Sequence, residues 1–355
     1  MAAETGPTDL LRVRDLQVGF ATEGGVAKVL DRVNLTIGQG QIVGLVGESG
    51  CGKTTLSRAI LGVLPRNAAR IAGGSIHFDG VDLLTLDPTV LERSVRGRRI
   101  SFIPQDPYGS FNPVFPIGSQ IMELMKWKSP ALSEREAARN TWLPRLHGRR
   151  RFREDRARVL DLLRSVQLPD PEAILAKYPH EVSGGQRQRL MIAMALLTEP
   201  KLIIADEPTT ALDVTIQAQI LKLLRRLATE HRVAVLFTTH DLGTAWEICD
   251  RVTVMYAGQE MEEAPSDGFF NRPSHPYTAR LLSSLPSRDG GLVGIPGDIP
   301  SLVDPPGGCR FHPRCDFATE VCRRERPGPS SIGPDSDHVV RCYHPVVDHP
   351  RRAAP

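Results

Sequence analysis

The sequence lacks any apolar run long enough to cross a lipid bilayer. Its longest apolar stretches, in "LMIAMALL" and "VAVLF", are far shorter than the roughly 18–20 residues that a membrane-spanning helix needs. The first segment, "MAAETGPTDLLRVRDLQ", also lacks the basic stretch followed by an apolar one that marks a secretory signal. These two absences predict a soluble protein of the cytoplasm.

A strong charge of one sign is missing as well. The 44 lysine and arginine residues nearly balance 41 aspartate and glutamate residues, and the net charge of +3 is too small to imply a polyanionic partner by itself. The arginine-rich stretch "RLHGRRRFREDRAR" also contains Glu154 and Asp155, which favours a solvated helix face. The alternative for this stretch is an electrostatic contact with lipid head groups or an acidic partner.

Changes in patterning divide the 355 residues into two predicted domains. Residues 9–262 alternate short β-branched runs with longer helical patterns, which is typical of an α/β domain. Within them, residues from about 106 to 182 are predicted to form a helical insertion. Residues 263–355 are rich in proline and glycine and lose helical periodicity, which predicts a small, loop-rich second domain.

The octapeptide "GESGCGKT", residues 47–54, matches the phosphate-loop pattern G-x-x-x-x-G-K-[ST]. Its glycines let backbone N–H groups curl around phosphate oxygens, and the following helix directs its positive end at them. Lys53 is predicted to reach the β- and γ-phosphates and Thr54 to bind Mg²⁺. A strand, "QIVGLVG", is predicted before the loop, and a helix, "GKTTLSRAILGVL", after it. Four apolar residues share one face of this predicted helix: Leu56, Ile60, Val63 and Leu64.

The stretch "LIIADE" supplies two acids at the end of an apolar strand. Asp206 is predicted to hold Mg²⁺, directly or through water, and Glu207 to act as general base for an attacking water. A second predicted strand, "VAVLFTTH", also carries polar residues at its C-terminal end, where ligands bind in open parallel sheets. With the phosphate loop, these features predict a site that hydrolyses a nucleotide.

The octapeptide "VSGGQRQR", residues 182–189, resembles the signature motif of ATP-binding cassette (ABC) ATPases, with Val182 where leucine is commoner. The resemblance covers roughly residues 10–262, with the other motifs in the family's order. Gln105 in "FIPQDP" is similar to the Q-loop, Asp213 in "TALD" to the D-loop, and His240 in "TTHD" to the switch histidine. Phe20 lies at the position of the aromatic residue that stacks on adenine, although an ordinary core residue is the alternative.

The resemblance implies an α/β nucleotide-binding domain of the ABC type, with a RecA-like core, an antiparallel β part and a helical subdomain. It implies a Mg²⁺ site at Thr54, Gln105 and Asp206. Catalysis is implied to depend on Glu207, His240 and Gln105, and a chain that retains both the glutamate and the histidine is expected to hydrolyse ATP at its own site. The implied ATP contacts are Phe20, Gly47, Glu48, Ser49, Gly50, Cys51, Gly52, Lys53, Thr54 and Thr55.

The signature residues also predict a second phosphate-binding surface. Ser183 and the glycines after it cap the N-terminus of a helix, which favours an anion there. By resemblance, two cassettes face each other head to tail, and each closes ATP against the signature of the other. The residues implied in this contact are Ser183, Gly184, Gly185 and Gln186, with Asp213 in the adjoining D-loop. ATP binding then closes the dimer and hydrolysis reopens it.

The C-terminal segments "RPSHPYTARLLSSLP", "IPGDIPSL" and "GCRFHPRC" resemble the extension found on ATP-binding subunits of dipeptide/oligopeptide (and nickel) importers. The resemblance implies a motor at the cytoplasmic face of the membrane, bound to two transmembrane permease subunits. It also implies a second cassette, identical or related, and an extracytoplasmic protein that delivers the solute. The sequence leaves peptide, nickel and other solutes open. His275 followed by Pro276 predicts the start of a helix rather than a metal ligand.

Four of the six cysteines are gathered near the end of the chain, at Cys309, Cys315, Cys322 and Cys342. Disulfides are disfavoured in a reducing cytoplasm. The spacing is wider than the C-x2-4-C pairs of zinc sites, and four thiolates can instead hold an iron–sulfur cluster. The importer family implies a [4Fe–4S] cluster at this cysteine set, with zinc or unliganded thiols as alternatives. A structural staple is the expected role, and a redox sensor is the alternative.

Two other functions remain open on the sequence. One is a soluble ABC protein that acts on nucleic acid through the arginine-rich stretch, and the other is a regulatory iron–sulfur protein whose ATPase is secondary. The chain has one cassette and no heptad run, and few aromatic residues accompany its basic segment. These features favour transport.

Overall fold

The computed structural model describes residues 9–133, 136, 146–210, 213–285, 294–333 and 337–346. The chain divides into two compact units, of which the first joins Met1–Leu84 to Phe237–Pro355 and the second is Thr85–Leu236. Among the described residues, no helix is both long and apolar enough to cross a membrane.

An antiparallel sheet of four strands opens the first unit. Its long central strand, Asp9–Thr22, pairs with Gly25–Gly38 on one side and with Ala69–Phe78 on the other. Leu11, Val13 and other apolar residues that alternate with polar ones are buried on one face, as a half-exposed sheet requires. The fourth strand, Val81–Asp82, pairs with the end of Ala69–Phe78.

A second set of strands in the first unit surrounds the fully buried strand Ile42–Val46. This strand runs parallel to Arg251–Tyr256, which pairs in turn with Gln259–Pro265 in antiparallel fashion. Two short strands from the C-terminal part of the chain, Val339–Val340 and Ser330–Ser331, extend the sheet beyond Gln259–Pro265. The boundary predicted between residues 262 and 263 therefore falls within a strand, and the proposed division at that point stays a prediction.

Six short helices complete the described part of the first unit. They are Lys53–Leu61, Leu242–Ile248, Ser266–Asn271, Pro276–Ser283, the 3-10 turn His312–Arg314, and Glu320–Arg324. The helix predicted to run to Leu64 ends three residues earlier, because Gly62 takes a left-handed conformation at φ +64° and donates its N–H to the last turn. The prediction for Val63 was wrong, since its side chain lies outside the helix and is 42% exposed.

The second unit combines parallel strands with most of the helices in the described part of the chain. Ile100–Ile103 runs parallel to Leu202–Asp206, so their carboxyl ends lie at the same edge. The strand Ala234–Thr239 begins in this unit and ends in the first. The helices, including short 3-10 and π turns, are Pro88–Val90, Leu91–Val95, Ile117–Lys128, Arg149–Ser165, Pro171–Ala176, Pro179–Glu181, Gly184–Leu196 and Val214–His231.

The arginine-rich stretch forms much of the helix Arg149–Ser165. Glu154 lies on the surface and pairs with Arg150 at 2.8 Å, as predicted for a solvated face. Asp155 is different, because its side chain is buried and accepts hydrogen bonds from Ser129 Oγ at 2.6 Å and His147 Nε2 at 2.8 Å. The placement of Asp155 on the solvated face was therefore wrong. Arg145 lies outside the described residues.

Candidate functional site

The phosphate loop lies between the buried strand Ile42–Val46 and the helix Lys53–Leu61, as predicted. Gly47 has φ +152°, and a Cβ atom there would lie 2.2 Å from the carbonyl oxygen of Met255. Gly52 caps the helix at φ +110°, and a Cβ atom there would lie 2.9 Å from the carbonyl oxygen of Val29. Both positions therefore require glycine for sterical as well as conformational reasons.

The loop folds around the ammonium group of Lys53. Lys53 is buried, and its Nζ donates hydrogen bonds to the carbonyl oxygens of Gly47 at 2.8 Å and Glu48 at 3.3 Å. Ser49 and Gly50 are exposed at the tip of the loop, while Thr54 and Thr55 are half-buried in the first helical turn. A cation beside the N-terminus of a helix is an arrangement suited to phosphate. Cys51, a spacer in this loop, is buried.

The second unit brings together two of the predicted catalytic residues. Asp206 is buried at the end of its strand, and Glu207 follows it with φ +47°, a conformation that costs a residue with a side chain about 1–2 kcal/mol. Gln105 Nε2 donates a hydrogen bond to Glu207 Oε2 at 3.0 Å, and Thr210 Oγ1 donates to the same oxygen at 3.2 Å. The strained backbone therefore aims the Glu207 carboxylate at polar partners.

The signature serine caps a helix, as its sequence predicts. Ser183 Oγ accepts the Gln186 N–H at 3.2 Å, and Gln186 Oε1 accepts the Ser183 N–H at 3.0 Å. This reciprocal pair is a capping box at the start of Gly184–Leu196. Ser183 is exposed, and Gly185 could not carry a Cβ atom without a contact of 3.2 Å to Ile216. The helix tip is thus accessible to an anion.

The remaining motif residues lie at the ends of regular elements. Asp213 caps Val214–His231 by accepting the Ile216 N–H at 3.0 Å, whereas Ala211 and Leu212 of "TALD" lie outside the described residues. His240 is exposed directly after the strand Ala234–Thr239. Phe20 lies on the strand Asp9–Thr22 and is half-buried.

His275 starts a helix, as predicted. Its Nδ1 accepts the Tyr277 N–H at 3.0 Å, and Pro276 occupies the first turn of Pro276–Ser283. The imidazole is fully buried, and burial lowers the pKa of His275 to about 4, although Glu262 opposes this shift. His275 is therefore neutral at physiological pH.

The four C-terminal cysteines line one pocket of about 290 Å³, a volume that includes its opening to solvent. All six cysteines of the chain are free thiols. Burial, with a further contribution from neighbouring thiols, raises the pKa of Cys309 to about 11 and that of Cys342 to about 12. A metal that bound here would have to displace protons from these thiols.

No group of three or more Cys, His, Asp or Glu side chains in the described ranges is arranged to hold a metal ion. The predicted iron–sulfur centre is therefore not supported by a preformed ligand group. Cysteine thiolates are nevertheless the donor type that iron–sulfur clusters use.

Sequence reasoning missed two arginines between Cys309 and Cys315. Arg310 and Arg314 are both buried, which is rare for arginine unless it is paired. Arg310 donates to the carbonyl oxygen of Ala257 and to Asp31 Oδ2, the latter at 3.2 Å. Arg314 pairs with Glu48 of the phosphate loop. The available signal was the position of both arginines in "CRFHPRC", between two of the clustered cysteines.

Two family comparisons cover most of the chain. Residues 30–210 match the family described as ABC transporter. Residues 261–322 match the family described as oligopeptide/dipeptide transporter, C-terminal region. The second match contains the "HPY" segment and three of the four clustered cysteines.

Two curated proteins are similar over nearly their whole length. The chain is 42% identical to the dipeptide transport ATP-binding protein DppD of Haemophilus influenzae, over 95% of this chain and 96% of that protein. It is 44% identical to the oligopeptide transport ATP-binding protein OppD of Salmonella typhimurium, over 96% of this chain and 95% of that protein.

A solved structure supports the same fold. The ATP-binding cassette MJ0796, in a dimeric post-hydrolysis state with ADP and phosphate, matches with a TM-score of 0.58 and 26% identity. The match covers 73% of this chain and the whole of that one. The α/β cassette fold predicted from the motifs is confirmed by this likeness.

Proposed function

The chain belongs to the ABC transporter family, and on that premise we propose that it is the ATP-hydrolysing motor subunit of a membrane importer for dipeptides or oligopeptides. The C-terminal region of the oligopeptide/dipeptide type supports this assignment, as do relatives named for dipeptide and oligopeptide transport. The observation that carries the ATPase part is the strained Glu207, held against Gln105 at the end of a parallel strand. A carboxylate in this position suits a general base.

The proposed ATP site is built from the residues of the sequence motifs. Phe20 would stack on adenine, and the loop Gly47–Thr55 would hold the phosphates through its backbone N–H groups and Lys53. Thr54, Gln105 and Asp206 would hold Mg²⁺, which neutralises charge on the phosphates when it is bound. Their oxygen donors are of the type that Mg²⁺ prefers, which supports this assignment.

Hydrolysis needs a water that is both oriented and deprotonated. Glu207 would accept the proton of the attacking water, while its second hydrogen-bond partner, Thr210, keeps the carboxylate in place. His240, exposed after its strand, would contact the γ-phosphate side of the site. In this proposal Gln105 links the base to the metal, because its amide already donates to Glu207.

The exposed helix tip at Ser183 favours a dimer that closes over ATP. Ser183 and Gly184–Gln186 would bind the γ-phosphate held by a facing cassette, with Asp213 nearby at the contact. The facing cassette is a second copy of this chain or a related ATP-binding subunit. ATP binding would close the pair, and hydrolysis would reopen it and drive the permease.

Two transmembrane permease subunits and an extracytoplasmic peptide-binding protein are the partners we infer, which places the chain at the inner face of the plasma membrane. Affinity purification of the tagged chain from detergent-solubilised membranes should recover both permeases. Peptide uptake by the host should then depend on Lys53, whose change to alanine removes the phosphate contact. Recovery with nucleic acid and no membrane protein would contradict the transport proposal.

We also propose that Cys309, Cys315, Cys322 and Cys342 hold a [4Fe–4S] cluster that acts as a structural staple. Support comes from the donor chemistry and from the pocket that these four cysteines share. Anaerobic purification should give a brown protein with stoichiometric iron and sulfide, and Cys315→Ala should lose both. Cys249→Ala, at a buried cysteine elsewhere, is the control that should keep them. A colourless, iron-free protein would favour zinc or free thiols.

A further inference from the structure

Glu48, the second residue of the phosphate loop, contacts the C-terminal part of the chain through both its side chain and its backbone. Its carboxylate accepts hydrogen bonds from Arg314, with Nη1 at 2.9 Å from Oε2 and Nη2 at 3.3 Å from Oε1. Its backbone N–H donates to the hydroxyl oxygen of Tyr277 at 3.1 Å. Arg314 and Tyr277 lie 266 and 229 positions from Glu48, so tertiary folding alone creates these contacts.

Arg314 is itself fixed in place. Its side chain is only 4% exposed, against 25% for Glu48. Nε donates to the carbonyl oxygen of Pro296 at 3.0 Å, Nη2 to that of Ile295 at 3.0 Å, and Nη1 to the hydroxyl of Tyr256 at 3.2 Å. A guanidinium held by these partners makes a two-pronged, charge-assisted contact with the Glu48 carboxylate, which fixes the geometry of the pair as well as adding energy.

Aromatic packing connects the loop between Cys309 and Cys315 to Tyr277, the second residue that contacts Glu48. Phe311 lies 5.2 Å from the rings of both Tyr256 and Tyr277, and those two tyrosine rings are 4.7 Å apart. Tyr277 and Phe311 are fully buried. The loop between Cys309 and Cys315 therefore reaches Glu48 through Arg314 and supports Tyr277 through Phe311.

We propose that Arg314 and Tyr277 are positioning residues for ATP, which hold the phosphate loop in its binding shape and neutralise Glu48. The inference rests on the proposed function, because it assumes that residues 47–54 bind the triphosphate. The nucleotide affinity of the cassette then depends on the C-terminal extension, without any contact between the extension and the nucleotide.

Two physical effects act in the same direction. A loop that is already ordered costs less conformational entropy when it binds a ligand. An unpaired Glu48 carboxylate would also place a negative charge beside the phosphates, where it opposes their binding. The charge effect predicts a rescue, since Glu48→Gln removes the carboxylate that Arg314 neutralises.

The experiment measures the dissociation constant of Mg-AMP-PNP by calorimetry, and the KM and kcat for ATP, with the full-length chain. Arg314→Gln should raise both the dissociation constant and KM about tenfold and leave kcat within about twofold, because Glu207 and His240 are untouched. Tyr277→Phe, which removes one hydroxyl, should raise KM about threefold. The double change Arg314→Gln with Glu48→Gln should recover most of the affinity that Arg314→Gln loses.

Arg251→Gln is the matched control. It breaks an arginine–glutamate pair whose glutamate is as exposed as Glu48, with Arg251 Nη2 at 2.9 Å from Glu263 Oε1, at the opposite end of the strand from Tyr256. Its KM should equal that of the unchanged chain.

If Arg314→Gln and Tyr277→Phe bind like the unchanged chain while Lys53→Ala loses binding, the positioning role is overturned and the ATP site stands. If the unchanged chain does not bind Mg-AMP-PNP, the proposed function itself fails. If the affinity losses of Arg314→Gln and Glu48→Gln add in the double variant, Arg314 does not act by neutralising Glu48.

Discussion

The amide of Gln105 lies 3.0 Å from the carboxylate of Glu207, although the two residues are 102 positions apart. Each follows the end of one of two neighbouring parallel strands, Ile100–Ile103 and Leu202–Asp206, and so the pairing of the strands creates the contact. The left-handed backbone of Glu207 turns its side chain into this position.

Glu207→Gln is expected to lower ATP turnover at least about 100-fold while ATP binding is preserved, because the amide cannot accept a proton from water. Steady-state phosphate release and Mg-AMP-PNP calorimetry measure the two effects separately. Glu199→Gln, at an exposed glutamate that pairs with Arg158, should change neither quantity. Near-normal hydrolysis in Glu207→Gln would remove this residue from the role of base.

Ser183→Arg is expected to prevent ATP-dependent dimers without loss of ATP binding by the single chain. The bulky cation blocks the helix tip and removes a cap that contributes about 1 kcal/mol to the helix. In sedimentation with MgATP, the chain that carries Glu207→Gln should form dimers. The chain that carries both Glu207→Gln and Ser183→Arg should not. Ser301→Arg, at another exposed serine, should leave them intact. If a related subunit is the natural partner, the dimers form only after it is added.

Gly47→Ala and Gly50→Ala should differ sharply in stability without nucleotide. A Cβ atom at Gly47 meets the Met255 carbonyl at 2.2 Å, whereas at Gly50 nothing lies within 4 Å. We expect Gly50→Ala to cost about 1 kcal/mol, from its left-handed backbone alone. Gly47→Ala should cost at least about 3 kcal/mol, because the backbone must move. Urea unfolding measures both, and equal losses would contradict the packing of the loop against Met255.

The free energy of unfolding should decrease as the pH is lowered, because of His275. Its pKa is about 4 in the folded chain, below the ordinary 6.5, so the unfolded chain takes up a proton first as the pH falls. The stabilisation is complete above pH 6.5 and is lost toward pH 4, at about 1.4 kcal/mol per pH unit. Between about pH 7 and pH 5, His275→Asn should lose about 2 kcal/mol less of its unfolding free energy than the unchanged chain does.

Asparagine is a suitable replacement because it also caps helices and can accept the Tyr277 N–H. Equal pH dependence in urea unfolding of the two proteins would show that the pKa of His275 is the same in the folded and the unfolded chain.

Short-range features were predictable because neighbouring residues determine them. The strand, glycine loop and helix around Lys53 follow from apolar patterning and from a turn that only glycine can make. The cap at Ser183 follows from a serine three residues before a glutamine. Gly62 also indicated that the helix ends at Leu61. The apolar spacing that continues to Leu64 led instead to the prediction of a longer helix.

Long-range pairing was not predictable in the same way. The sequence determined that residues 47–54 form a phosphate loop and that four thiols gather near the end of the chain. Only the tertiary structure decided that Asp155 is buried against His147 and that Arg314 holds Glu48. A charged side chain looks the same in sequence whether it faces water or a buried partner, because its partner is chosen by the packing of distant segments.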